Sequence, residues 1–131
     1  SGTIRENLLL GKVDATEEEM VAVLEKSCAD FVFHLPLGLD TLCSELGGGL
    51  SEGQAQRIAI ARSLLRDRSV MIFDEATSAL DPQTERQLLQ NILSRHDRTV
   101  IFITHRPAVV DYCDQTLTIK KNTISRLLYS E

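Results

Sequence analysis

The 131-residue sequence predicts an α/β fold with a parallel sheet. Its second half alternates two short apolar runs, at 70–73 and 99–103, with two segments of helical pattern, at 81–94 and 107–112. Strands that alternate with helices in this way are typical of parallel β-α-β units. The first half, up to about residue 65, carries mainly helical patterns and indicates a separate helical part.

The composition is that of an ordinary soluble domain, with 43% hydrophobic and 25% charged residues. A net charge of −5 without a basic block disfavours a nucleic-acid partner. The apolar runs are shorter than the roughly 18 residues that span a bilayer, so we expect membrane attachment through another part of the chain or another subunit. Three widely spaced cysteines, Cys28, Cys43 and Cys113, predict free thiols in a reducing compartment.

The first half begins with an apolar stretch at 4–10. Thr16 then predicts the start of a helix, because Glu19 three residues later completes a capping box. The apolar face of this helix runs to about Ala29, and a short apolar piece follows at 31–36.

A second helix is predicted after the glycines at 47–49, with Ser51 as its N-cap and Gln54 as the capping-box partner. Its apolar positions extend to about Leu65. The N–H groups and the positive dipole end of such a helix favour an anion, above all a phosphate.

The run at 70–73 is continuously apolar, which predicts a strand covered on both faces. Asp74 and Glu75 follow it, and His105 follows the next predicted strand, 99–103. In α/β proteins the carboxyl ends of parallel strands form the ligand site, so the two acids and the histidine are candidates for one site.

Asp81 and Pro82 predict another helix start, with the acid as N-cap and the proline in the first turn. The segments 116–120 and 123–127 predict a terminal hairpin, in which Asn122 can adopt a positive φ at the turn.

Four of these stretches resemble, in order, the motifs of ATP-binding-cassette (ABC) ATPases. Residues 50–54 (LSEGQ) resemble the LSGGQ signature, and 70–75 (VMIFDE) resemble the Walker B strand with its catalytic glutamate. Residues 78–81 (SALD) resemble the D-loop, and 103–106 (ITHR) resemble the H-loop. The resemblance extends over residues 1–124 and is to the nucleotide-binding domains of exporters.

The resemblance implies part of a P-loop NTPase (RecA-like) parallel sheet with a helical ABC-signature subdomain. Residues 1–65 would form the helical subdomain with the X-loop and signature, and 66–131 the later part of the RecA-like core with the terminal hairpin. The sequence contains no Gly-x-x-x-x-Gly-Lys-Ser/Thr loop, the Walker A phosphate cradle. We therefore expect Walker A and the Q-loop to lie upstream, and the isolated chain to be inactive as an ATPase.

The resemblance also assigns roles around ATP and Mg²⁺ in the complete domain dimer. Asp74 would orient the magnesium ion through water, Glu75 would act as general base toward the attacking water, and His105 would contact the γ-phosphate.

The remaining motif residues imply a second nucleotide-binding domain as partner. Ser51, Gly53 and Gln54 would meet the γ-phosphate of the nucleotide held by the opposite subunit, and Asp81 would join the two half-sites. Glu52 stands where the family has glycine. Pointing inward it would repel ATP, whereas pointing outward it suits a helix N-terminus.

Residues 44–47 occupy the place of the exporter X-loop, where Glu45 and Gly47 match the family and would contact the coupling helices of a transmembrane domain. This implies a location at the cytoplasmic face of a membrane and a function that couples ATP binding and hydrolysis to transport. Two alternatives are a non-catalytic interaction fragment and an ABC ATPase of DNA maintenance.

Overall fold

The computed structural model describes residues 2–43, 49–121 and 123–128. The α-helices in these ranges are α1 Ile4–Leu9, α2 Glu17–Lys26, α3 Glu52–Arg66, α4 Pro82–Ile92 and α5 Pro107–Val110. The strands are β1 Val70–Asp74, β2 Thr99–Ile103, β3 Gln115–Lys120 and β4 Thr123–Leu128. Two short 3₁₀ helices, Asp30–His34 and Gly38–Asp40, follow α2.

The predicted helix starts are confirmed by their capping contacts. Thr16 accepts from the backbone of Glu19, and the Glu19 carboxylate accepts from the backbone of Thr16 over 3.0 Å. Thr3 caps α1 in the same way, where the sequence indicated only an apolar stretch. Helix α2 ends at Lys26, earlier than Ala29, because Cys28 has a positive φ of 56° that does not continue a helix.

Helix α3 is the centre of the helical part, since it packs against both α1 and α2. Its predicted inner residues are all buried: Ile58, Ile60, Ala61, Leu64 and Leu65. Arg57 adds polar contacts to this packing. Its Nη1 donates to the carbonyl of Cys28 over 2.7 Å, and its guanidinium lies 4.8 Å from the centre of the Phe31 ring. These contacts fix the signature helix against the segment that follows α2.

Strands β1 and β2 pair in parallel, as predicted, but the expectation that both faces are covered is wrong. Met71 and Phe73 on one face are buried, whereas Val70 and Ile72 on the other are 53% and 63% exposed. Ile101, on the same face of β2, is 45% exposed. In the described part of the chain, helices pack against one face of this two-stranded sheet, and the other face stays open.

The terminal hairpin is confirmed as the antiparallel pair β3 and β4, which forms a sheet of its own. Its turn has a positive φ at Lys121, whereas Asn122 lies outside the described residues. Helix α5 ends at Val110, two residues before the expected end. The three cysteines are free, as predicted.

Candidate active site

The parallel pairing of β1 and β2 brings the carboxyl ends of both strands to the same edge of the sheet. Asp74, the last residue of β1, lies opposite Ile103, the last residue of β2. The N–H of Glu75 extends this ladder by donating to the carbonyl of Ile103 over 2.9 Å. The backbone therefore holds the two predicted acids next to the segment that carries the predicted histidine.

The side chains of Glu75 and His105 meet at this edge. Nε2 of His105 lies 3.3 Å from Oε1 of Glu75. The Glu75 side chain is 42% exposed and that of His105 is 94% exposed, so a ligand can reach both from solvent. A carboxylate and an imidazole at this separation can contact the same water molecule or phosphate oxygen.

The backbone of Glu75 is in the left-handed conformation, with a φ of +52°. This conformation costs a residue with a side chain about 1–2 kcal/mol, so its surroundings must hold it in place. Hydrogen bonds act on both sides of the residue: its N–H donates to Ile103, and its carbonyl accepts from the N–H of Ser78 over 3.3 Å. Strain of this kind clusters at functional sites, and here it falls on the candidate base.

Asp74 is exposed at the end of β1, beside Glu75. The described residues contain no group of three or more side chains suited to hold a metal ion by themselves. Mg²⁺ in phosphoryl-transfer sites is usually held by one or two carboxylates, several waters and the phosphates of the substrate. An exposed carboxylate at the edge of the sheet fits that mode of binding.

The predicted capping box at the signature is present. The N–H of Gln54 donates to Oγ of Ser51 over 3.1 Å, and the N–H of Ser51 donates to Oε1 of Gln54 over 2.9 Å. Because the Ser51 hydroxyl accepts here, its own proton remains able to donate to a ligand, as do the amide protons of Gln54. The cap therefore orients both predicted side chains without using their donors.

Gly53 is buried in the first turn of α3, against the segment after β1. A Cβ at this position would lie 2.8 Å from the carbonyl oxygen of Ala79, so a larger residue would push the helix away. Glu52, beside it, is exposed in this chain. An exposed carboxylate in the first turn is favourable for the helix dipole, which is the outward arrangement considered for this residue.

Asp81 is the N-cap of α4, as predicted from the sequence. Its Oδ2 accepts from the N–H of Thr84 over 3.0 Å, and its Oδ1 accepts from the Thr84 hydroxyl over 2.6 Å. The hydrogen bond from the Thr84 side chain lowers the pKa of the Asp81 carboxyl. Both carboxylate oxygens therefore have a partner within the chain, while the side chain stays exposed.

Gln56 reaches the same region but was not identified from the sequence. Its Nε2 donates to Oγ of Ser78 over 2.8 Å, and its Oε1 accepts from the N–H of Ala79 over 3.1 Å. A polar residue inside a helical pattern gives no sign that it contacts a loop more than twenty positions away, so only the fold shows this contact.

Arg106 is the second residue without a predicted role, although the resemblance included it in the H-loop. Its Nη1 donates to the carbonyl of Ser78 over 3.1 Å, and its Nη2 donates to that of Leu80 over 3.3 Å. Its Nε lies 2.6 Å from Oε2 of Glu85, in a close ion pair that is not aligned as a hydrogen bond. Arg106 therefore joins the segment after β2 to residues 78–80 and to the buried Glu85 on α4.

The two residues expected to contact a transmembrane domain, Glu45 and Gly47, lie outside the described residues. Within the described ranges, every helix falls short of the length and apolar character that would let it span a bilayer.

Comparison with known proteins agrees with the motifs. Residues 2–78 match the family model described as ABC transporter. The chain is 43% identical over 95% of its length to mouse antigen peptide transporter 2, of which it covers 18%. It is 41% identical over 93% of its length to the mitochondrial iron-sulfur clusters transporter ATM1 of Saccharomyces cerevisiae, again covering 18%.

The fold agrees with a solved structure as well. A bacterial Atm1-family ABC exporter with ATP bound superposes with a TM-score of 0.85 at 37% identity, over 95% of this chain and 22% of that one. The chain thus spans about a fifth of the length of these relatives. It belongs to the ABC transporter family and corresponds to the later part of an exporter-type nucleotide-binding domain.

Proposed function

We propose that this chain supplies the hydrolytic groups of an exporter ATPase domain, in which ATP binding and hydrolysis drive transport across a membrane. The observation that carries the proposal is the 3.3 Å approach of His105 to Glu75 at the carboxyl ends of β1 and β2. The relatives named above are transporters, which gives no support to the alternative of DNA maintenance.

Glu75 acts in this proposal as general base toward the attacking water, because its carboxylate is exposed enough to accept a proton. His105 contacts the γ-phosphate and holds the water and the carboxylate in line. Phosphoryl transfer needs mainly such positioning and charge stabilisation. The strained backbone of Glu75 serves to place its side chain at the strand end.

Asp74 would hold Mg²⁺ together with the phosphates of ATP, and the ion would neutralise the charge that develops on them. The exposed position of Asp74 leaves room for the water molecules that Mg²⁺ keeps. The Walker A loop that would cradle the same phosphates is absent from this sequence. Nucleotide binding is therefore proposed for the complete domain.

The signature residues Ser51, Gly53 and Gln54 would complete the site of a second nucleotide-binding domain, with donors aimed at its γ-phosphate. The N-terminus of α3 supports this role, because the capping box leaves the hydroxyl proton of Ser51 and the amide protons of Gln54 available to donate to a phosphate. Asp81 would meet the partner domain through the D-loop, where its side chain is exposed.

Residues 1–65 are proposed as the helical subdomain that communicates with the transmembrane domain, through Glu45 and Gly47. Residues 66–131 are proposed as part of the catalytic core. In this proposal the domain lies at the cytoplasmic face of the membrane, held there by a transmembrane domain.

The test is ATP hydrolysis by the complete protein that contains this chain, with Glu75→Gln and His105→Ala as variants. Because each change removes a group from the reacting water or phosphate, we expect kcat to fall about 100-fold or more. Glu75→Gln should still bind ATP, since the amide keeps the size of the side chain.

Two exposed residues elsewhere provide matched controls, Glu18→Gln on α2 and His96→Ala after α4. Both should hydrolyse ATP at the rate of the unmodified protein. A Glu75→Gln variant that is as active as Glu18→Gln would contradict the proposed role of Glu75.

A further inference from the structure

Gln56 is a side chain of α3 that hydrogen-bonds to the segment between Glu75 and Asp81. The amide of Gln56 has one acceptor and one donor end, and both are used there. A backbone N–H can only donate, so Oε1 faces Ala79, and Nε2 therefore faces the Ser78 hydroxyl at 2.8 Å. The contact therefore requires an amide whose oxygen faces Ala79 and whose nitrogen faces Ser78.

The same amide also reaches the candidate base. Nε2 of Gln56 lies 3.5 Å from the carbonyl oxygen of Glu75, the carbonyl that accepts from the N–H of Ser78. Glu75 has a left-handed backbone, which must be held from outside the residue. Gln56 thus contacts Glu75, Ser78 and Ala79, the residues that fix the turn after β1.

Packing alone already sets the distance between α3 and this turn. Gly53 brings the helix so close to Ala79 that a Cβ would not fit. The Gln56 amide adds a second constraint, because its two hydrogen bonds set the orientation of the turn as well as its distance. These contacts would carry a rotation or shift of the signature helix to the backbone of Glu75.

We infer that Gln56 is a positioning residue for hydrolysis, which couples the placement of the signature helix to the geometry of Glu75. The inference rests on the proposed function of Glu75. In this role Gln56 touches neither the nucleotide nor the water, and it acts by holding the turn 75–79 in the conformation that aims the carboxylate.

The test compares Gln56→Met with the unmodified complete protein in two measurements. Methionine keeps the volume of the side chain and removes both hydrogen bonds. We expect kcat for ATP hydrolysis to fall about tenfold or more, because small displacements of a reacting group are costly, while KM for ATP stays within about twofold. Hydrogen exchange in peptides covering 75–80 should become faster, because the Ala79 N–H loses its acceptor.

Gln90→Met is the matched control, since Gln90 is exposed on α4, away from this turn. It should change neither kcat nor exchange in 75–80. If Gln56→Met does not accumulate as folded protein, Ser78→Ala removes one of the same hydrogen bonds at an exposed residue and should lower kcat about threefold with unchanged KM.

Three results overturn the inference. A kcat within twofold of the unmodified protein would show that Gln56 does not position the base. A loss of kcat accompanied by an equal loss of ATP affinity would show a general structural defect. An unmodified protein that does not hydrolyse ATP, or a Glu75→Gln variant with full activity, would overturn the proposed function and the inference together.

Discussion

At the scale of single residues, position 53 requires glycine because a Cβ there would clash with a neighbouring segment, and not because its backbone conformation is restricted to glycine. It lies within α3, where any residue can adopt the helical φ and ψ, but a Cβ would meet the carbonyl of Ala79 at 2.8 Å. The family signature LSGGQ has two adjacent glycines, and this chain has Glu52 in place of the first and Gly53 as the second. Because Glu52 is exposed, that position tolerates a side chain within this chain, whereas position 53 does not.

Asp81 gives a prediction at the same scale. The hydrogen bond from the Thr84 hydroxyl lowers the pKa of the Asp81 carboxyl, so Thr84→Val should raise that pKa toward the ordinary value of about 3.9. Valine keeps the shape and the backbone N–H and removes the hydroxyl. Carboxyl titration by NMR measures the change, with Thr123→Val on β4 as control.

The sign of the effect on stability follows from the direction of the shift. A carboxyl whose pKa is lower in the folded than in the unfolded state stabilises the fold at pH values above its unfolded pKa of about 4. This stabilisation is lost as the pH falls through the pKa of the folded state. Thr84→Val should therefore weaken the dependence of stability on pH below about 4. An Asp81 pKa equal in the variant and the unmodified protein would contradict this account.

At the scale of elements, Arg106 and Glu85 join the segment after β2 to α4 and to the residues just before α4. Arg106 donates to the carbonyls of Ser78 and Leu80 and faces the Glu85 carboxylate on α4, whose side chain is only 2% exposed. Since a buried charge without a partner is costly, removing Arg106 alone should destabilise the fold far more than removing one partner of a surface pair.

Arg106→Met should lower the free energy of unfolding by about 3 kcal/mol, because it leaves the Glu85 carboxylate buried without its cation. Urea unfolding measures this loss, and Arg95→Met is the matched control. Arg95 pairs with Asp67 and Asp97, whose side chains are 54% and 65% exposed, so solvent screens these pairs and the loss of Arg95 should cost much less than the loss of Arg106. Equal costs for the two arginines would rule out a special role for the buried pair.

At the scale of the whole molecule, the sequence predicted helices α2 to α5, the four strands and the pair Glu75 and His105, but neither α1, nor the two 3₁₀ helices, nor the contacts between segments. Capping residues such as Ser51 and Asp81 act within a few positions, so helix starts can be predicted from local pattern. The contacts of Gln56 and Arg106 arise when segments 19 or more residues apart in the sequence meet in the fold. No local rule carries that information.

The exposed face of the β1–β2 sheet has a similar explanation. A continuous apolar run correctly predicted a parallel strand, yet Val70 and Ile72 are exposed in this chain. The burial of a strand depends on what packs on each face, and the apolar pattern does not say which segment supplies the cover. The pattern fits a strand whose second face would be covered in a longer domain.

The central claim is that these residues supply hydrolytic groups but bind nucleotide only together with a Walker A loop, which this sequence does not contain. Calorimetric titration of Mg-ATP into the 131-residue chain tests the claim most directly, with circular dichroism to establish that the chain is folded. We expect no saturable heat of binding to the folded chain. Saturable binding with a micromolar Kd would contradict it, because these residues would then form a nucleotide site by themselves or by self-association.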